Sequence, residues 1–181
     1  MSRTAFCLLI LLSHSAMAAT DKPADLFQLI DQRLKFMKDV ACYKARHHLP
    51  VEDVAREDQV LRHGLQQASR AGFAGDEFRL FLQVQMSAAK AVQYRMRAEL
   101  EFLPAQRCLS PELSVTRQKI SALDDRILRH YAALQHAGGH ISPDDFQRFE
   151  QILDTRYLKH GEKYALFIAL MHARLEPQAA P

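Results

Sequence analysis

Glycine is scarce in this 181-residue chain, with six in all, and no GxGxxG or GxxxxGK string occurs. That excludes a phosphate-cradling Gly-rich loop and argues against an all-β chain built on many tight turns. Neither sign of charge dominates. The 24 Lys and Arg face 21 Asp and Glu, and the net +3 is too small and too evenly spread to predict nucleic-acid binding by bulk electrostatics. Any basic function must therefore be local. Tryptophan is absent, cysteines number three, and no stretch alternates apolar and polar residues for long enough to read as a strand.

What is present begins with an address. Arg3 gives a short basic start, Ala5 to Leu12 is an unbroken apolar run, and Ala16-Met17-Ala18 is a small-x-small cleavage site ahead of Ala19. Residues 1–18 therefore read as a secretory signal peptide. The run is too short for a hydrocarbon core that needs about twenty residues, so no membrane attachment is expected after cleavage. Cys7 lies inside the run, away from the cleavage site, which gives no support for lipidation. The mature chain, 19–181, is expected in the periplasm or outside the cell. It keeps Cys42 and Cys108, which in an oxidising compartment predict one disulfide, the alternative being two separate buried thiols.

The mature chain reads as a single all-helical domain. Pro23 opens a first helix whose Leu26, Leu29, Ile30, Leu34, Met37 and Ala41 recur at three- and four-residue steps, and Leu49-Pro50 stops it. A second helix starts near Asp53 and fades through Gly72 and Gly75. A third runs from Asp76 to Phe102 without an interior Gly or Pro. Pro104 and Pro111 bracket a loop holding Cys108, and a fourth helix from Val115 ends at Gly138-Gly139. Ser142-Pro143-Asp144-Asp145 starts a fifth, and a short sixth is expected from Gly161 to about Arg174. A bundle of five to six helices follows, with core motifs over 26–136 and C-terminal helices over 142–174.

Within this pattern some cations fall on apolar ground. Arg33 and Lys44 are eleven residues apart, which at about 100° per residue brings them within roughly 20° of one helix face. Met37 and Val40 share that stripe, so two charged residues whose Cα atoms are about 16 Å apart along the axis stand in a surface that is normally buried. A dianion between them would engage both; the plainer alternative is that both turn their charged ends to solvent. After Pro50, Asp53 suits a helix N-cap, Glu57 lies one turn on, and Arg56 could pair with Asp53.

Taken together, Ile30-Asp31, Arg33, Lys44 and LPVEDVAREDQVL at 49–61 resemble the AroQ-type chorismate mutases, whose helical domains carry an Arg, a Lys eleven residues later and a Pro-x-x-Asp-x-x-Arg-Glu run. Arg117-Gln118-Lys119-Ile120-Ser121-Ala122-Leu123-Asp124 is similar to the opening of the first helix in the short cytosolic members. With a leader and one long chain, the sequence looks like the exported gamma subclass, in which a single chain supplies every active-site residue.

The resemblance implies the Claisen rearrangement of chorismate to prephenate, which needs no metal, cofactor, nucleophile or proton transfer. By motif match, Arg33 and Arg117 are carboxylate clamps and Lys44 is the donor to the ether oxygen. Arg56 is a further cation, Glu57 takes the substrate hydroxyl, and Asp53 lines the pocket near the ring. Gln93 matches a second donor to the ether oxygen. Ala89 matches a site that often carries a hydroxyl, so one expected hydrogen bond is missing and the register of the third helix is open between Gln93 and Gln85.

Other chemistries fit less well. His47-His48 are adjacent, and His136 and His140 straddle two glycines, so neither pair makes a helical metal-ligand face, and no metal is expected. No Ser-His-Asp or Cys-His constellation can be recognised from spacing. The rivals are a non-catalytic exported helical module that binds an acidic ligand or partner, and a mutase fold that has lost rate. A homodimer is left open.

Overall fold

The computed structural model describes residues 23–102 and 108–176. The leader with its Ala18–Ala19 junction, and Pro104, lie outside the described residues. The chain forms α1 (Pro23–Lys35), α2 (Met37–Arg46), α3 (Val54–Arg70), α4 (Gly75–Leu100), α5 (Leu113–His136), α6 (Phe146–Ile152) and α7 (His160–His172). Among the described residues the only extended pairing is an isolated bridge between Phe73 and Leu175.

The single long first helix expected from the sequence is instead two helices in series. Phe36 interrupts them with ψ at −14°, flatter than the usual helical value near −42°. The ladder resumes at once, because the Val40 N–H donates to the Phe36 carbonyl at 3.1 Å. The helical path is interrupted rather than ended, and the Phe36 ring packs against the core. Counted as one interrupted rod, α1 and α2 make a bundle of six. The fifth helix also differs from expectation: Pro143–Asp145 form a 3-10 turn before α6 begins. Elsewhere the punctuation acts as its chemistry dictates. Asp53 caps α3 by accepting from the Arg56 N–H at 3.1 Å, and Gly138, at φ +77°, supplies the left-handed residue that closes α5.

α4 is the central rod, packed against α2, α3 and α7, while α5 lies along α1. Phe27, Ile30 and Leu34 of α1 are fully buried with Phe81, Phe149, Leu166 and Leu170, each such side chain contributing about 1.5–3 kcal/mol by leaving water. Asp31, on the same helix, is buried but satisfied. It accepts from the Thr155 N–H at 3.1 Å and hydroxyl at 2.7 Å and pairs with Lys35 at 2.7 Å. It thus ties α1 to the segment after α6 and takes no part in the site described below.

Cys42 and Cys108 are joined, with Cα atoms 5.5 Å apart and a sequence separation of 66. The bond fixes buried α2 to the segment leading into α5. Closing a loop of that length removes enough unfolded-state freedom to contribute about 4 kcal/mol. We expect urea unfolding with and without reductant to differ by about that amount, with the same difference for Cys42→Ala/Cys108→Ala.

Candidate active site

The hollow lies between α1 and α2, the start of α3, the middle of α4 and the first half of α5. It holds about 720 Å³ of empty space, part of it open to solvent. Arg33 enters from α1 and Lys44 from α2. Asp53, Arg56 and Glu57 come from the start of α3, Ala89 and Gln93 from α4, and Arg117 from α5. The fold thus brings every residue singled out for the substrate site to one cavity. Five cations and three carboxylates line it, a formal excess of two positive charges.

Arg33 and Lys44 do not turn their charged ends to solvent. They are 5% and 6% exposed, because their shared stripe also carries Met37 and Val40, which face inward with them. The Lys44 ammonium donates to the Val51 carbonyl at 2.6 Å and keeps two further N–H groups. Burial pulls its pKa below the ordinary lysine value, the nearby Arg117 charge pulls the same way, and Asp53 and Glu57 oppose them. Arg33 donates through Nε to Asp124 Oδ1 at 2.5 Å, while its Nη1 is buried without a hydrogen-bond partner.

Gln93, 5% exposed, donates through Nε2 to the Ala89 carbonyl at 3.2 Å and touches Met37 Sδ at 3.6 Å. Its Oε1 has no hydrogen-bond partner. Ala89 brings no hydroxyl, but its backbone holds the amide of the residue one turn on. Gln85 does not line this hollow. It is 2% exposed and faces an adjoining recess that also touches Arg33, Ser121 and Asp124.

The side-chain pairing of Arg56 with Asp53 that the sequence allowed does not form. The Asp53 carboxylate reaches Arg117 Nη2 at 3.3 Å, and the Arg56 side chain turns to Gln59 Oε1 at 3.4 Å. Glu57 accepts from Lys90 Nζ at 2.9 Å, and that bond is the main cause of the raised Lys90 pKa.

Sequence reasoning missed three polar wall residues, Lys90, Ser121 and Asp124. All three had a readable signal. Ser121 and Asp124 follow Arg117 by four and seven residues, so these share one face of α5. Lys90 precedes Gln93 by three residues, which puts it on the face of α4 that carries Gln93. Among the described residues no group of three or more His, Cys, Asp or Glu could hold a metal, and no helix there is long and apolar enough to cross a membrane.

Residues 21–94 match the family model for chorismate mutase type II. The chain is 36% identical over 145 residues to a monofunctional chorismate mutase of Enterobacter agglomerans, covering 80% of each chain. It is 39% identical over 104 residues to a secreted chorismate mutase of Yersinia pestis, covering 58% of this chain and 56% of that one. A crystal structure of secreted chorismate mutase from Yersinia pestis superposes with a TM-score of 0.78 at 31% identity, covering 84% of this chain and 98% of that one. With a relative this similar along four-fifths of its length and the same helical architecture, the chain belongs to the type II chorismate mutase family.

Proposed function

We propose that this protein is an exported, monofunctional chorismate mutase that rearranges chorismate to prephenate by orientation and electrostatic stabilisation, with no covalent intermediate and no cofactor. The observation that carries this reading is the convergence of Arg33 and Lys44, from the consecutive helices α1 and α2, with Arg117 of the distant α5 on one hollow. Chorismate is a dianion, and the excess of two positive charges on the wall complements it. A pair of arginines can each take a carboxylate and hold the flexible side chain over the ring, which converts binding into the compact reactive geometry.

As the C–O bond lengthens, negative charge grows on the ether oxygen. A donor already aimed there favours the transition state over the ground state. Lys44, anchored by the Val51 carbonyl and with N–H groups to spare, fills that role. Gln93 adds a neutral donor, Glu57 accepts the substrate hydroxyl, and Asp53 and Arg56 frame the ring. Rearranging chorismate consumes one molecule and yields one, so the test is chorismate depletion by the leader-free chain with prephenate identified as product. Salt-sensitive binding without turnover would replace this reading with the non-catalytic module.

Gln93 gives a pH signature. An amide donates without taking a proton from solution, so activity is expected to be flat around neutral pH. Gln93→Glu should work only where its carboxyl stays protonated, and its rate should fall as pH rises. Parallel pH–rate profiles of the two proteins check this, and an unchanged profile would remove Gln93 from the reacting centre.

Export rests on residues 1–18. Cleavage after Ala18 predicts a mature protein that begins at Ala19, which N-terminal sequencing of the exported chain reads directly.

A further inference from the structure

We infer that Asp124 is a positioning residue for this site, one that fixes the plane of the Arg33 guanidinium so that its terminal edge is presented to a substrate carboxylate; the inference rests on the mutase reading above. Asp124 and Arg33 lie 91 residues apart and belong to α5 and α1, so their contact sets one wall of the hollow against another. The contact is at Nε, at 2.5 Å. An arginine pair built for stability alone gains most from the two-pronged fork of parallel N–H bonds. Here the carboxylate holds the inner nitrogen instead, and Nη1 is left buried with no acceptor.

A buried donor without a partner is unfavourable, and an arriving carboxylate relieves that cost only if the guanidinium plane already faces it. Arg33 is a long, rotamer-rich side chain. Asp124 is a third exposed while Arg33 is almost wholly buried, so the carboxylate remains well solvated while it orients a cation that is not. Asp124 also lines the hollow, where a bare negative charge would repel a dianion. Its bond to Arg33 offsets that charge.

The test is kinetic and spectroscopic. Asp124 sits within α5, partly exposed, where alanine is a good helix former, so Asp124→Ala should fold, and matched melting curves verify it. Its kcat should fall between about tenfold and a hundredfold, the scale on which a small misplacement acts. Asp124→Asn keeps an oxygen for the Arg33 Nε–H and should recover most of the loss. In an Arg33→Ala background the same Asp124→Ala change should cost less than twofold, because nothing remains to position.

A readout independent of turnover is the Arg33 Nε–H proton resonance, assigned by its loss in Arg33→Lys. It should exchange slowly in the intact chain and rapidly in Asp124→Ala. Failure of the intact chain to consume chorismate would overturn the mutase reading, and the resonance would still decide whether Asp124 orients Arg33. Native kcat in Asp124→Ala, an equal loss in the Arg33→Ala background, or unchanged Nε–H exchange would each overturn the inference.

Discussion

Replacing Lys44 by alanine is expected to lower kcat a few hundredfold or more while the protein keeps its fold. The magnitude follows from the role. One preorganised donor aimed at developing negative charge is typically worth about 3–4 kcal/mol, or roughly 10² to 10³ in rate. Lys44 is 6% exposed, so water is poorly placed to replace it. Stability should change little, since the lost hydrogen bond to Val51 is offset by relief of a buried charge. Matched circular-dichroism spectra with near-normal turnover would exclude Lys44 from the site. The wild-type enzyme offers a second check. Because burial and Arg117 lower the Lys44 pKa, deprotonation begins below the usual lysine value of about 10.4, and kcat/KM should fall as pH rises toward that value. A bound dianion favours the ammonium, so the matching fall in kcat should lie at higher pH.

Arg33→Ala should lower kcat/KM by about a thousandfold or more, part of it as a higher KM, because on the proposed mechanism the change removes a carboxylate clamp, and with it goes half of the formal charge excess around the hollow. The loss goes further than one missing cation. Asp124, which accepts from Arg33 Nε, is left as an uncompensated acid on the wall, facing a doubly negative ligand. Arg33→Lys separates the two contributions. It restores the charge without the planar fork, so it should regain much of the lost affinity and little of the lost kcat. Steady-state kinetics on both variants decides this, and full activity in Arg33→Lys would show that charge alone is needed.

How much of this was legible in the sequence depended on how far apart the interacting residues were. Local period carried the helices and, through the eleven-residue spacing of Arg33 and Lys44, placed two site cations on one inward stripe. It could not show the break at Phe36, where a single ψ departs from the helical value without any Pro or Gly to signal it. The ion-pair partner of Arg33 was not readable from its own helix, because Asp124 lies 91 residues on. Asp53 shows the same limit. Sequence proximity favoured Arg56, whereas the fold brings in Arg117 from 64 residues away. The choice between Gln93 and Gln85 also needed coordinates, since both are buried on α4 and only the neighbouring helices decide which of them meets the hollow.

Asp53 divides two duties between the two oxygens of one side chain. Oδ1 receives the Arg56 N–H at the start of α3, and Oδ2 receives Arg117. A guest carboxylate can therefore draw Arg117 away from Oδ2 while Oδ1 goes on anchoring the first turn. The arginine is free to swing without fraying the helix beside it, and capture of the guest need not disturb the frame on which Glu57 is mounted.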